Sequence, residues 1–214
     1  MATIGIKHPV FAPISPTSVE GARPTYNAGT VLGKAVKADV NLTFAEGKLF
    51  ADDVLAEYAS KFQSGTITAG VDELTAEKRV IVFGNTLDTT SGASTLVKGT
   101  EDTAPHGGFG YFKTKQVDGK KKFNAKWYFD TVWHEGNDTA ETGNDGITFQ
   151  TTEITGSILP VVGWGNNNWM EEETFNTEAE AVSWLHTRAG ITSAAPSVRM
   201  ASAPSTTTTT SSKS

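Results

Sequence analysis

Hydrophobic and polar residues alternate along Lys34 to Phe44, KAVKADVNLTF. Val36, Ala38, Val40, Leu42 and Phe44 fall on one face, and Lys37, Asp39, Asn41 and Thr43 on the other. A period of two belongs to a strand, so this segment predicts a half-buried strand. It runs into EGKLFADDVLAEYASKFQSGTITAGV, where apolar and acidic residues mix without period until alternation resumes near Phe62 and Ile67. The stretch from about 45 to 62 is therefore expected as a long loop between paired strands.

Asp72 to Phe83, DELTAEKRVIVF, opens with a capping candidate and early acids and stops at Gly84 and Asn85. Leu74, Ala76, Val80, Ile81 and Phe83 sit at roughly helical spacing, which predicts a short helix. The β-branched second half leaves a strand-like ending open. Further on, Val117-Asp118-Gly119-Lys120 is the strongest local signal, because Asp-Gly supplies the positive φ angles of a two-residue hairpin turn. Counting outward from Val117 opposite Lys120 sets Thr114 against Phe123, Phe112 against Ala125 and Gly110 against Trp127 on the expected core face. The other face then receives Tyr111, Lys113 and Lys115 from one strand and Lys122, Asn124, Lys126 and Tyr128 from the other, a basic and aromatic surface.

Asn137 to Gly146 reads as a polar loop, and Ile147 to Leu159 as a strand in which Gly156 marks either a bulge or a close backbone approach. VVGWGNNNWM is a Gly and Asn turn. Thr177 to Ala189 is the clearest helix: Thr177 and Glu180 form a capping box, Ala181, Val182, Trp184, Leu185 and Ala189 form a stripe, and Gly190 is the stop. His186 and Arg188 suit its negative end. From about Thr192 onwards the chain, TSAAPSVRMASAPSTTTTTSSKS, has too little apolar surface to offset the entropy of ordering it. The organisation is thus one domain over 1–191 and a Ser/Thr-rich disordered segment over 192–214.

Composition narrows the class. The 214 residues include 21 glycines and no cysteine, and short alternating runs of Thr, Val, Phe and Trp favour an all-β or β-rich α+β fold. Without cysteine there are no disulfides and no thiolate zinc sites, so stability rests on the core or on association between copies. A net charge of -6 argues against a dedicated nucleic-acid binder, which needs clustered Lys and Arg. The amino terminus lacks a secretory pattern, and no apolar stretch approaches a membrane span.

Candidate chemistry is sparse. His8, His106, His134 and His186 sit in separate segments with no metal-ligand spacing, and Asp52, Asp53 and Glu57 lack the alternating ligands and turn glycine of a calcium loop. The GGFG at Gly107 to Gly110 is not followed by the helix and lysine of a phosphate cradle. Glu101 and Asp102 are adjacent without converging, and no GxSxG elbow occurs. Neither catalysis nor a cofactor is expected. The main rival is a carbohydrate-binding or adhesion module built on exposed aromatics, for which Trp164 and Trp169, in one loop, are the candidates.

Five segments, IGIKHPVFAPI, GKAVKADVNLTFAEGKLFADDVLAE, FQSGTITAGVDEL, APHGGFGYFKTKQVDGKKKFNAKWY and ETFNTEAEAVSWLHTRAGI, occur in the order of the major tail protein family of long, non-contractile-tailed phages of Gram-positive bacteria, which the chain resembles. The resemblance implies a β-sandwich or barrel-like tail-tube fold with a flanking carboxy-terminal helix and a short helix. It also implies hexameric rings that stack into a tube around a DNA channel, in a virion assembled in the host cytoplasm. Tape measure, tail terminator and distal tail proteins come with it as partners, and no cofactor does. In related tube proteins a long loop between early strands reaches the next ring, a role the resemblance transfers to Leu49, Asp52, Asp53, Val54 and Glu57. The sequence departs from larger relatives, which add an immunoglobulin-like domain after the final helix where this one has the Thr-rich segment, so the resemblance carries no expectation of surface decoration.

Two expectations about surfaces follow from charge. A tube that passes DNA without holding it needs a neutral or repelling lumen, and the polar row Asp39, Asn41 and Thr43 is the candidate. Lys115 directly opposite Lys122 destabilises the sheet unless something acidic faces Lys113, Lys115, Lys122 and Lys126. An acidic loop of a neighbouring copy and a solvated lysine face are both open readings.

Overall fold

The computed structural model describes residues 2–51, 54–89, 94–136 and 151–192. In chain order these form β1 (Ala2–Pro13), β2 (Thr30–Val31), β3 (Ala35–Ala51), β4 (Val54–Val71), α1 (Ala76–Phe83), β5 (Thr86–Asp88), β6 (Thr95–Val97), β7 (Gly107–Val117), β8 (Lys120–Glu135), β9 (Thr152–Leu159), β10 (Met170–Phe175) and α2 (Glu178–Ala189). The main sheet is antiparallel and runs β2, β1, β7, β8, β9, β4, β3, with β10 also pairing β8, while β5 and β6 form a separate ribbon. The length of β8 explains the branch: its Phe123 to Tyr128 half pairs with β10 and its Asp130 to Glu135 half with β9. A β-rich α+β protein is what the sequence led one to expect.

The β7/β8 hairpin turns at Asp118 (φ 50) and Gly119 (φ 76), the left-handed pair that lets a two-residue turn follow strand twist. Its register is the one counted from the sequence, including Thr114 opposite Phe123, Phe112 opposite Ala125, Gly110 opposite Trp127 and Lys115 opposite Lys122. The expected division into one core face and one polar face is incomplete, however. Phe112, Ala125 and Trp127 are buried with Ala181, Leu185 and Ala189 of α2, while Phe109, Tyr111, Tyr128 and Trp133 on the other side are buried with Ile67, Ile154 and Ile158. The sheet curves around this second cluster, and β3 comes to lie against β1 with no ladder joining them.

Gly156 is a close-approach site. A methyl group at its Cα would stand 2.6 Å from the indole of Trp133, and neither neighbouring ladder shifts register there. Of the two alternatives the sequence left for this glycine, the bulge is not adopted.

Both helices form. α1 starts at Ala76, with Thr75 rather than Asp72 at the N-cap position. The Asp72 carboxylate instead accepts the backbone N–H groups of Lys34 (2.7 Å) and Glu73 (2.9 Å). Burial of Val82 and Phe83 keeps the β-branched end helical, overriding its weak intrinsic preference. At α2 the Thr177 hydroxyl accepts the Glu180 N–H at 3.3 Å and the Glu180 carboxylate accepts the Thr177 N–H at 3.0 Å, closing the box read from the sequence.

The stretch expected as a loop over about 45–62 is instead the outer part of a β hairpin. β3 and β4 pair from Ala35 opposite Val71 out to Ala51 opposite Val54, with register shifts at Thr43/Phe44 and Leu49/Phe50. Seventeen residues of strand in β3 span about 55 Å, longer than the body needs. Among the described side chains of β3, Ala38 and Val40 reach the core; residues 41–49 and 57–61 are exposed on both faces. Where neither face is buried, no alternation is imposed on the sequence, and this is why the segment reads as aperiodic. The polar loop at Asn137 to Gly146, residues 147–150 of the following expected strand, and residues 193–214 of the segment expected to be disordered lie outside the described residues.

Candidate assembly surface

Ladder partners share a face, so the register builds the surface residue by residue. Asp39 lies opposite Thr68, which lies opposite Thr155 and then His134; Asn41 lies opposite Thr66 and then Ser157; Thr43 lies opposite Ser64. The row Asp39, Asn41, Thr43 is exposed and extends across β4 and β9 as a sheet face rich in hydroxyls. Its charges are few and paired: Lys37 Nζ stands 3.2 Å from Asp39 and 3.5 Å from Glu153. Sequence reasoning found one strand of this face and missed Ser64, Thr66, Thr68, Thr155 and Ser157. The signal was present in the alternation of SGTITAG and TEITGSI.

The opposite side of the same hairpin is apolar where it leaves the body. Ala38 and Val40 are covered, but Leu42 and Phe44, next in the same row, are 38% and 48% exposed. A line of rings connects this edge to the core: Phe44 meets Phe62 edge-on at 6.0 Å, Phe62 stacks on Trp169 at 4.4 Å, and Trp169 lies 6.3 Å from Tyr128. Towards the tip, Leu49 and Tyr58 are 55% and 54% exposed. Leu49 is the ladder partner of Glu57 and Val54 that of Ala51, so these three of the five residues assigned to the inter-ring loop stand together; Asp52 and Asp53 lie outside the described residues. β3 pairs with β4 alone among the described strands, so where it runs beyond β1 its outer edge carries an open row of ladder donors and acceptors.

The basic surface is less free than its sequence suggests. Tyr111, Asn124 and Tyr128 are buried, and burial pushes both phenols above the ordinary tyrosine range. Lys126 meets Glu172 of β10 at 3.0 Å, and Lys122 donates to the side chain of Asn176. Lys113 lies 5.7 Å from the Tyr111 ring centre; its ammonium is pulled below the usual lysine range by burial first, then by Lys126 and Lys115, with Asp39 opposing. An acid that answers this face therefore comes from the same chain, a strand the sequence did not reveal. Lys115 and Lys122 remain directly opposed.

Among the described residues no three His, Asp or Glu side chains converge as a metal site, and no helix is long and apolar enough to cross a membrane. His106 Nδ1 contacts Asp130 at 2.8 Å, an exposed imidazole on a carboxyl that burial holds above its ordinary range. One pairing was invisible in the sequence: His8 and His186, 178 positions apart, meet through their Nε2 atoms at 2.8 Å. The tryptophans offer no exposed platform. Trp164 packs edge-on against Phe129 at 4.7 Å with Arg23 over its ring, and Trp169 is covered by Phe62. The expectation that these two are exposed is thereby corrected: the aromatic residues of their turn fold back onto the body.

No protein-family model matches the chain, and no curated protein matches it either.

Proposed function

We propose that this protein is a structural subunit that assembles with copies of itself into rings and tubes, as in the phage tail-tube family it resembles, and that it turns over no substrate. The observation that carries this reading is the β3/β4 hairpin, whose open strand edge and exposed Leu42, Phe44, Leu49 and Tyr58 are costly to leave in water. In this reading the edge of β3 pairs with a sheet margin of the next copy, and Leu42 and Phe44 are covered in the same step. The contact is head-to-tail, so rotation closes it into a ring, six-membered by the resemblance. Leu49, Val54 and Glu57 at the outer end reach a neighbouring ring, a second and separate surface that turns rings into a filament.

The hydroxyl face then lines the channel. Thr, Ser and Asn keep it wetted, and the scarcity of unpaired lysines keeps passing phosphates from being held. The tail's tape measure, terminator and distal proteins would be its further partners. Trp164 and Trp169 are half-buried against Phe129 and Phe62, which weighs against the carbohydrate-binding alternative.

Negative-stain microscopy of concentrated protein tests the reading: tubes or hollow rings are expected from the wild type, and small particles from a Phe44→Ser, Leu49→Ser double variant that keeps a wild-type circular dichroism spectrum. Small particles from both would contradict it.

A further inference from the structure

We propose that His8 and His186 form a pH-sensitive clasp that fastens helix α2 to strand β1 and releases it on acidification. This rests on the geometry of the two rings and not on the assembly reading. The Nε2 atoms are 2.8 Å apart and the ring centres 5.0 Å apart, so one imidazole donates its Nε2–H to the lone pair of the other. At least one ring must be neutral at that nitrogen. Two imidazolium ions would point two donors at each other across the same gap.

The backbone is shaped to make this contact. His8 has φ 61 and sits, with Pro9, in the register shift between Lys7 and Val10, where the strand loses its place in the ladder with β7. Pro9 has no N–H to give to the ladder, and the bulge turns the preceding ring towards α2, against Phe112. His186 stands in the last turn of α2, one residue beyond the buried Leu185.

The titratable groups facing His8 are Glu178 and His186 from α2, Lys7 from β1, and Lys34 across the adjoining cleft; β7 presents the apolar Phe112. Glu178 is engaged by Lys7 at 3.0 Å. The His8 imidazole is held below its ordinary value by burial first and by His186 second, with Glu178 opposing. The open form therefore takes up protons that the closed form refuses. The clasp is complete above about pH 6.5 and is lost as pH falls through the lowered value of the folded state. Opening uncovers the side of the sheet where Phe112 and Trp127 pack beneath α2, without touching the cluster around Trp133.

Amide exchange and histidine Cε1–H shifts of the full chain, followed by NMR from pH 8 to 5, test the clasp. After correction for intrinsic rates, exchange at Val182 to Ala189 should rise about tenfold for each unit by which closure depresses the pair's second protonation, while amides of Ile67 and Ile154 stay protected. His8→Asn, which tolerates the left-handed backbone, and His186→Gln should each abolish the pH step. Independent titration of both rings near 6.5 with no response in α2 would overturn the proposal, as would the same response in both variants.

Discussion

Phe62 and Trp169 stack face to face, their ring centres 4.4 Å apart and their planes 11° from parallel, where the β3/β4 hairpin leaves the body of the protein. Phe62 belongs to β4, and Trp169 immediately precedes β10 at the end of the Gly and Asn turn. The stack therefore fixes the direction in which the exposed arm leaves the sheet.

Trp169→Ala removes this support. Loss of the stack and of partly buried aromatic area should lower stability by about 2 kcal/mol. The hairpin beyond Asn41 should exchange its amides faster than in the wild type, with the β7/β8 amides changed less. Chemical denaturation and hydrogen exchange measure the two effects separately.

Gly156→Ala places a methyl group 2.6 Å from the Trp133 indole, which is buried and cannot swing away. Overpacking of this kind costs about 1–3 kcal/mol, and thermal melting should report it. The double variant Gly156→Ala, Trp133→Phe should recover part of the effect of the glycine substitution alone; strict additivity would argue against steric conflict as its cause.

The sequence revealed those parts of the fold in which one local rule acted alone. The Asp118-Gly119 turn fixed the register correctly over nine pairs, from Val117 opposite Lys120 to Phe109 opposite Tyr128, and Thr177 with Glu180 located α2. β10 was missed because Glu171, Glu172 and Glu173 dilute the apolar signal of MEEETF; Glu172 answers Lys126 of β8, while Glu171 pairs with Arg23 and Arg188. β1 was not read as a strand, since Pro9 and Pro13 argue against a ladder that in fact continues around the bulge at His8 and Pro9. The outer hairpin was read as a loop for want of a buried face. The hydroxyl face was legible strand by strand, but its width required the ladder, and the His8/His186 contact depends wholly on long-range packing.

Lys126→Gln should raise the pKa of Lys113. Lys126 is the first charged neighbour depressing it, yet burial is the larger cause, so recovery to the ordinary lysine range should be partial. A lysine whose folded value is depressed adds stability above its unfolded value and loses it as pH falls through the folded one; the variant should narrow that alkaline window. Carbon-13 shifts of methylated lysines read the value, and an unchanged Lys113 would contradict the proximity of the two ammonium groups.

Thr66→Lys with Thr155→Lys places cations on the hydroxyl face without touching the core. If that face lines a channel, tubes of this variant should retain double-stranded DNA with an affinity that falls steeply with salt, while wild-type tubes retain little. Equal retention by both would place the face elsewhere.

Sedimentation velocity over a wide concentration range reads self-association itself, since an open β3 edge completed by another copy must make size depend on concentration. A slow monomer boundary should give way to ring-sized and then much larger species as concentration rises, with the outward-pointing amides of β3, those not bonded to β4, becoming protected in the same range. A single monomer boundary at every concentration, with those amides already protected in dilute solution, would contradict it.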